Sequence, residues 1–87
     1  MQQFKTYILY SKSLDAFYIG FTGDDIMKRL AKHLGEHKGF TAKAKDWEIV
    51  YVEKYDSKAE AMKREKQLKS WKNKIRIKAM IYEKTNE

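Results

Sequence analysis

The chain has 87 residues with a net charge of +7, and it contains neither cysteine nor proline. This length supports one domain spanning residues 1–87, and a hydrophobic content of 43% is enough to form a core. Disulfide bonds and cysteine-based zinc sites are excluded, and His33 and His37 could not hold a structural zinc ion by themselves. No segment has the apolar length of a signal peptide or a membrane span, so we expect a cytoplasmic protein without membrane association.

The first part of the chain is predicted to form a β-hairpin followed by a helix. Residues 4–11 are aromatic and β-branched, which is typical of a strand, and a short polar turn leads to a second strand over 16–21. The segment 22–25 then supplies helix-capping residues. Apolar residues recur at helical spacing after it, which predicts a helix from about 24 to 34, and Gly35 ends this helix.

The rest of the chain is predicted to form one more strand and two helices. Residues 35–46 form a basic loop, and the β-rich alternation of 47–55 predicts a third strand. A capping-box pattern opens a helix that we expect over 57–71. A break at Asn73 precedes a last short helix over about 75–82. The order β-β-α-β-α-α predicts an α+β domain with a small, mostly antiparallel sheet.

Positive charge is concentrated in one segment of the chain. Residues 57–78 carry nine Lys or Arg and two Glu, a net charge of +7, whereas the rest of the chain is neutral. Such a one-sided charge suits a polyanion, because each neutralised phosphate releases condensed counterions. A solvated, lysine-rich helix face would have the same composition. Charge alone therefore leaves nucleic-acid binding and a solvated surface as equal alternatives.

Glu65 lies within an apolar stripe of the helix predicted over 57–71. Three apolar residues share its helix face because they lie three or four positions away: Ala61, Met62 and Leu68. A carboxylate among apolar neighbours is unfavourable unless it is paired or bound to a cation. It could be placed to bind a divalent metal, or it could form an ion pair, which helical periodicity alone favours. The candidate partners for an ion pair are Arg64, Lys66 and Lys69.

Four further side chains could carry chemistry. Arg29 and His33 are four residues apart, so they share one face of the first helix, where Arg can bind a phosphate and His can carry a proton. An ordinary exposed helix face is the alternative. Tyr7 and Tyr18 lie on the hairpin strands, where tyrosines usually pack, and their hydroxyls matter only if they enter a shared polar site. Gly20 permits a close backbone approach or a bulge.

Five sequence elements occur in a suggestive order: Tyr7, Tyr18-Ile19-Gly20, Arg29, His33 and Arg64-Glu65-Lys66-Gln67-Leu68-Lys69. The pattern resembles the GIY-YIG nuclease superfamily, and more narrowly its small standalone bacterial members similar to the N-terminal domain of excinuclease C. The resemblance covers about residues 4–81. It implies a three-stranded antiparallel sheet flanked by helices. It also implies an endonuclease that hydrolyses DNA phosphodiester bonds with Mg²⁺ or Mn²⁺, with DNA repair or recombination as the expected pathway.

The resemblance also implies a role for each site residue. Glu65 would be the metal ligand, and Tyr7 would activate or orient the attacking water. Tyr18 would support the site by hydrogen bonding, and Arg29 would hold the scissile phosphate and stabilise its developing charge. His33 would assist in proton transfer or phosphate contact. One carboxylate leaves the other metal positions to water and phosphate, which suits Mg²⁺.

The sequence departs from the family's pattern at three places. The first element reads Lys5-Thr6-Tyr7, so only its tyrosine is retained. Phe21 follows Gly20 directly, where excinuclease-type domains tend to have a lysine, and Lys69 and Lys72 are the candidates to replace that lysine. Asn73 is the nearest match to a late asparagine of the family.

DNA is the expected partner, with RNA as an open alternative. No separate DNA-reading module is recognisable, so a homodimer or a protein partner could supply specificity. A binding module that uses 57–78 without cutting is the second hypothesis, and an interaction domain for an acidic protein or a membrane surface is the third. A carboxylate near a DNA phosphate is unfavourable without a metal between them, which favours the nuclease. The lysines expected to contact nucleic acid are Lys43, Lys45, Lys66, Lys69 and Lys72.

Overall fold

Three strands form one sheet, and helices pack on both of its faces. The structure, a computed structural model, describes residues 3–35 and 39–85; His37 and the side chain of Phe40 lie outside the described residues. The elements are β1 (Phe4–Ser11), β2 (Ala16–Thr22), α1 (Ile26–Leu34), a 3₁₀ turn (Phe40–Lys43), β3 (Glu48–Tyr55), α2 (Lys58–Trp71) and α3 (Lys74–Thr85). This order confirms the predicted α+β class, and the 3₁₀ turn is an addition within the basic loop. No helix in the described part of the chain combines the length and the apolar character needed to cross a membrane.

Capping side chains set where the helices begin. The Asp25 carboxylate accepts hydrogen bonds from the backbone N–H groups of Met27 and Lys28, so α1 begins at Ile26, two residues after the predicted start. The Ser57 hydroxyl accepts a hydrogen bond from the Glu60 N–H at 3.2 Å, which confirms Ser57 as the N-cap of α2. Asn73 confirms the predicted break, because its side-chain oxygen accepts a hydrogen bond from the Arg76 N–H and caps α3.

The central strand of the sheet is buried on both faces. The strand order is β2-β1-β3, and both neighbours run antiparallel to β1. Thr6, Tyr7, Ile8 and Leu9 of β1 are each at most 1% exposed. Their side chains alternate between the two faces, so each face of β1 meets a different set of helices. β2 and β3 are the outer strands.

Two apolar clusters hold the layers together. The cluster between the sheet and α2 and α3 is built on Ile8, Ile19, Leu68, Ile77 and Met80. The cluster beneath α1 and the 3₁₀ turn is built on Tyr7, Leu9, Ala44 and Trp47. A hydrogen bond of 2.7 Å from the Thr6 hydroxyl to the Ala61 carbonyl fixes α2 against the first of these faces. The sheet thus places Tyr7 on the α1 side and Glu65 of α2 on the other.

Candidate active site

A chain of hydrogen bonds joins Arg29, Tyr7, His33 and Thr41 on the α1 side of the sheet. Arg29 Nε donates to the Tyr7 hydroxyl at 3.1 Å, and that hydroxyl lies 2.8 Å from His33 Nε2. The other ring nitrogen, His33 Nδ1, lies 2.9 Å from the Thr41 hydroxyl. The directions of both histidine contacts depend on the tautomer: with the ring proton on Nδ1, the phenol donates to Nε2 and Nδ1 donates to the Thr41 hydroxyl.

His33 is buried, contrary to the alternative of an ordinary exposed helix face. Its side chain lies under the 3₁₀ turn and the hairpin, with only 6% of the residue exposed. Its ring centroid is 4.9 Å from that of Tyr18 and 5.9 Å from that of Tyr7. A histidine that is packed between two tyrosines and bonded at both nitrogens is fixed in orientation. The spacing of Arg29 and His33 therefore places both on Tyr7, one from each side of its hydroxyl.

Gly20 is required by the position of the Tyr7 ring. The two residues are directly paired across β1 and β2, and a Cβ at Gly20 would lie 2.6 Å from the Tyr7 hydroxyl oxygen and 2.7 Å from the adjacent ring carbon. The backbone at Gly20 has no unusual conformation, so the constraint is space alone. The close approach predicted for this glycine is confirmed, and the residue it admits is the tyrosine of the site.

A polar cleft of about 430 Å³ runs along β2 and brings Arg29 and Glu65 to one surface. Tyr18 and Gly20 line it from β2, Arg29 lines it from α1, and Lys58 and Glu65 line it from α2. β2 is an outer strand, so helices on opposite faces of the sheet can reach the same cleft beside it. Three of the five predicted catalytic residues thus line this cleft. The other two adjoin it, because Tyr7 bonds Arg29 and His33 lies behind Tyr7.

Glu65 is held in a largely buried position on α2. Its side chain is 15% exposed and lies between the fully buried Ala61 and Leu68, as the helical stripe predicted. Lys69 Nζ lies 3.8 Å from one carboxylate oxygen, so Lys69 is the ion-pair candidate that the structure brings close. Arg64 is engaged elsewhere, because its guanidinium bonds Glu53 at 2.9 Å. At 3.8 Å the Lys69 contact is longer than a hydrogen bond, which leaves the carboxylate oxygens open to a further cation.

Burial and hydrogen bonding set the protonation of Tyr7 and Arg29. Burial raises the pKa of Tyr7 above its ordinary value, and the nearby Tyr18 and Glu65 add to this effect, while the hydrogen bond and charge of Arg29 offset it only in part. The hydrogen bond to Tyr7 raises the pKa of Arg29. Tyr7 is therefore a neutral phenol and Arg29 a cation at neutral pH.

The donor set of the cleft fits one hard divalent cation. Within residues 3–35 and 39–85, no three carboxylate or histidine side chains are grouped closely enough to hold a metal by themselves. Two carboxylates instead line the open, polar cleft: Glu65, and Asp24, whose carboxylate lies 3.7 Å from Lys32 Nζ. Mg²⁺ is commonly bound through one or two carboxylates while water and substrate phosphate complete its coordination. The cleft meets that requirement through Glu65.

The lysines predicted to contact nucleic acid fall into two groups on opposite sides of the sheet. Lys66, Lys69 and Lys72 lie on α2 or directly after it, with Lys72 in a left-handed conformation at φ 47°. Lys43 lies in the 3₁₀ turn and Lys45 follows it, on the α1 side. Lys45 Nζ donates to the carbonyls of Leu34 and Gly35, so it stabilises the end of α1.

Two residues of the site were not identified from the sequence. Thr41 is 3% exposed, its hydroxyl lies 2.9 Å from His33 Nδ1, and its carbonyl accepts a 2.9 Å hydrogen bond from the Trp47 indole. A threonine in a basic loop carries no signal of that role. Lys58 lines the polar cleft together with Phe21, so it supplies a basic group there, whereas Lys69 and Lys72 line a neighbouring cleft. In the sequence, Lys58 was recognised only as part of the capping pattern that predicts the start of α2.

Comparisons with known proteins agree with this geometry. Residues 3–80 match the family model described as the GIY-YIG catalytic domain. The chain is 36% identical over 76 residues to a UPF0213 protein of Staphylococcus saprophyticus, an alignment that covers 85% of this chain and 92% of that protein. Its fold is similar to the solution NMR structure of a UPF0213 protein from Bacillus halodurans, with a TM-score of 0.53 and 24% identity over 90% of this chain and 82% of the other. The similarity to the Bacillus halodurans structure, at 24% identity, bears on the fold alone.

Proposed function

Since this chain belongs to the GIY-YIG nuclease family, we propose that it is an endonuclease that hydrolyses DNA phosphodiester bonds with one divalent metal ion, Mg²⁺ or Mn²⁺. The observation that carries the proposal is the shared polar cleft, which Arg29 and Glu65 line from opposite faces of the sheet beside the Tyr7 hydroxyl. The similarity to excinuclease C noted from the sequence supports a role in DNA repair or recombination. RNA is the second nucleic acid that this chemistry would accept.

Arg29 and Lys58 would hold the scissile phosphate. Arg29 uses its Nε–H on Tyr7, and the N–H groups of its two terminal nitrogens are the donors that would bind a phosphate. A planar pair of donors matches two non-bridging phosphate oxygens and stabilises the charge that develops on them. Lys58 adds a second cation at the wall of the same cleft. This pairing orients the phosphate toward Tyr7.

Tyr7 and His33 would move the proton of the attacking water. The mechanism uses the tautomer of His33 with its proton on Nδ1, in which the neutral Tyr7 hydroxyl accepts a hydrogen bond from Arg29 and donates one to His33 Nε2 at 2.8 Å. As water attacks phosphorus and the bond from phosphorus to the leaving sugar oxygen breaks, the water proton would pass to the Tyr7 oxygen while the phenol proton passes to Nε2. The leaving sugar oxygen would take its proton from solvent. The resulting imidazolium keeps its Nδ1–H on the Thr41 hydroxyl. A tyrosine with a raised pKa can act in this way because it never has to exist as a free phenolate.

Glu65 would hold the metal ion, which when bound supplies Lewis-acid stabilisation of the phosphate oxygens. The carboxylate is placed for this by α2, whose neighbouring residues Ala61 and Leu68 are buried against the sheet. Tyr18 packs against both Tyr7 and His33 and lines the same cleft as Glu65. Its contribution is to fix the two rings and to keep this side of the cleft dry.

A binding module without catalysis is the second candidate, and the Lys69–Glu65 contact of 3.8 Å is the observation that favours it. In that function Lys69 neutralises Glu65 permanently, and the basic surface of 57–78 binds a nucleic-acid backbone without turnover. A module that only binds does not require the buried network of Arg29, Tyr7 and His33 for its function. The nuclease therefore accounts for more of the structure.

A cleavage assay with Glu65→Gln separates the two candidates. Labelled single-stranded, duplex, flap and branched DNAs are incubated with Mg²⁺ or Mn²⁺, and binding is measured separately in a chelator. We expect the wild type to cut at least one of these DNAs and Glu65→Gln to lose at least about 100-fold in rate. Binding should be equal or tighter in the variant, because it removes a negative charge beside Lys69.

Glu60→Gln is the matched control, since Glu60 lies on the same helix but is exposed and outside the lining of the polar cleft. It should cut at the rate of the wild type. If wild type and Glu65→Gln cut at the same rate, Glu65 is not a metal ligand. If the wild type and both variants bind the DNAs but cut none of them, the binding module replaces the nuclease as the proposed function.

A further inference from the structure

A second cleft of about 430 Å³ adjoins the polar cleft and differs from it in character. It opens between β2, the end of α2 and the start of α3, and Phe17, Ile19, Leu68 and Ile77 form its apolar walls. Ile19, Leu68 and Ile77 belong to the buried core, so the cleft reaches the core surface itself. It exists because α2 ends at Trp71 and the chain turns through Lys72 and Asn73 before α3 begins.

The rim of this apolar cleft is basic. Lys69, Lys72 and Lys74 line it, against one acidic residue, Asp15. Lys74 and Asp15 neutralise each other, because Lys74 Nζ donates to the Asp15 carboxylate at 2.7 Å and to its carbonyl at 2.8 Å, which leaves Lys69 and Lys72 as the cations of the rim. Lys72 is exposed on its left-handed turn. An apolar interior with a cationic rim is complementary to a group that is flat and apolar on its faces and is attached to an anionic backbone.

Tyr18 and Lys69 connect this cleft to the candidate active site. Tyr18 lines both clefts. Lys69 Nζ lies 5.7 Å from the centre of the Tyr18 ring and 3.8 Å from the Glu65 carboxylate, so it stands at the boundary between them. A ligand that places a phosphate beside Arg29 and Glu65 can therefore extend past Tyr18 into the apolar cleft without leaving the surface.

From this continuity we infer that the apolar cleft binds one unpaired base of the nucleic-acid strand whose phosphate occupies the polar cleft. The inference rests on the proposed function and specifies its substrate class: a single strand, or a nucleotide unstacked from its duplex. A base inside a paired helix has both faces stacked and cannot enter a cleft between α2 and β2. An unpaired base can bury a face against the apolar wall formed by Phe17, Ile19 and Ile77 while its backbone lies on the lysines of the rim.

The test compares two strands of equal charge. Fluorescently labelled oligothymidylate and an abasic strand of the same length are titrated with the protein in a chelator, so that nothing is cut and only binding is read by anisotropy. We expect the strand with bases to bind about 5-fold or more tightly, the lower end of what one stacked base contributes. Equal affinity for the two strands overturns the inference, and it does so without any variant of the protein.

The variant Ala16→Leu then tests whether the preference for the strand with bases comes from this cleft. Ala16 is half-buried and lines the cleft, so a larger apolar side chain fills space there without changing charge. The ratio of the two affinities should fall to about one, whereas Ala79→Leu, at an exposed position of α3, should keep the ratio of the wild type. A preference for bases that survives Ala16→Leu in a folded variant places the base elsewhere and overturns the inference.

The outcome is separable from that of the nuclease proposal. A base preference that Ala16→Leu removes, in a protein that cuts no DNA, sustains the base site and rejects the enzyme. Cleavage that requires Glu65 but proceeds on a strand bound without regard to its bases rejects the base site and sustains the enzyme. In that second case the apolar cleft receives another occupant, such as an apolar side chain of a protein partner.

Discussion

The hydroxyl of Tyr7 is the point on which Arg29 and His33 converge, and its removal is the most direct test of the network. Tyr7→Phe keeps the buried ring but leaves His33 Nε2 without its 2.8 Å partner. We expect the free energy of unfolding to fall by about 1–3 kcal/mol, the range for one unsatisfied buried polar group. The cleavage rate under single-turnover conditions should fall by about 10²–10⁴-fold, the range for lost acid–base catalysis.

Tyr10→Phe is the matched control, because Tyr10 lies on the same strand but donates its hydrogen bond to Asp15, outside the polar cleft. Its cleavage rate should equal that of the wild type. A Tyr7→Phe variant that cuts normally would show that the Tyr7 hydroxyl carries no proton in the reaction and that the network is structural.

Substitution of Gly20 tests the position of the Tyr7 ring by steric contact, without changing a hydrogen-bonding group. In Gly20→Ala the new methyl group would lie 2.6 Å from the Tyr7 oxygen, so the buried ring must shift away from it. We expect a loss of about 1–3 kcal/mol in unfolding free energy from overpacking, together with loss of cleavage. In Gly35→Ala the nearest atom is 3.4 Å away, and chemical denaturation should show a change of less than about 1 kcal/mol. Equal stability of the two variants would contradict the packing argument.

The sequence identified residues of this site but not their contacts. Tyr7, Tyr18, Arg29, His33 and Glu65 were selected from motif order, and the structure places them around one cleft. Helical spacing alone left His33 on an exposed face, because its burial comes from a loop that follows the helix. Thr41, which binds its second nitrogen, belongs to a short turn with no periodicity to detect.

At the scale of elements, α2 is fixed to β3 by a carboxylate that is unrelated to the site. Burial disfavours the charge of Glu53, but hydrogen bonds from Tyr51, Tyr55 and Arg64 outweigh it and hold the pKa of Glu53 below its usual value. A lowered pKa in the folded state adds stability above the pKa of the unfolded chain, near about 4.3, and that stability is lost as the pH falls through the folded value. The interaction thus holds α2 in place at neutral pH.

Glu53→Gln should therefore lower the free energy of unfolding at pH 7 by about 1–3 kcal/mol, the range for hydrogen bonds to a charged group. The difference from the wild type should shrink in acid, because the native carboxyl is then protonated too. Urea denaturation at neutral and acidic pH measures both effects. Glu48→Gln, on an exposed position of the same strand, should change stability little at either pH. A difference that grows in acid would contradict the assigned charge state of Glu53.

The elements themselves were largely predictable because each is marked by local signals. The predicted strand over 4–11 agrees with Phe4–Ser11, and that over 47–55 begins one residue before Glu48–Tyr55. The last helix was placed over 75–82 but extends over Lys74–Thr85, since the apolar pattern ends at Tyr82 and the polar residues 83–85 continue the helix without an apolar signal. The 3₁₀ turn was missed because four residues give no recurrent pattern.

At the scale of the whole molecule, the net charge of +7 is distributed unevenly about the sheet. Four lysines of the basic segment border the two clefts, namely Lys58, Lys69, Lys72 and Lys74, whereas Lys66 lines neither and Lys43 and Lys45 follow α1. A strand that follows the clefts meets the first group and not the second. The basic segment recognised in the sequence thus places lysines along the two clefts in a row, from Lys58 past Lys69 to Lys72. We call this row the lysine track.

Lys72 is the residue on which this track can be tested. Lys72→Asn removes the charge while keeping a residue type that tolerates the left-handed conformation at φ 47°. If Lys72 contacts one phosphate, the slope of log affinity against log salt should become shallower by about 0.7–0.9, and affinity for all sequences should fall equally. Lys54→Gln, at an exposed position of β3 away from both clefts, should leave the slope unchanged. The slopes are measured in a chelator over a range of salt concentrations. If wild type and Lys72→Asn have equal slopes, the strand lies on the other side of the sheet. Lys43 is then the residue to replace.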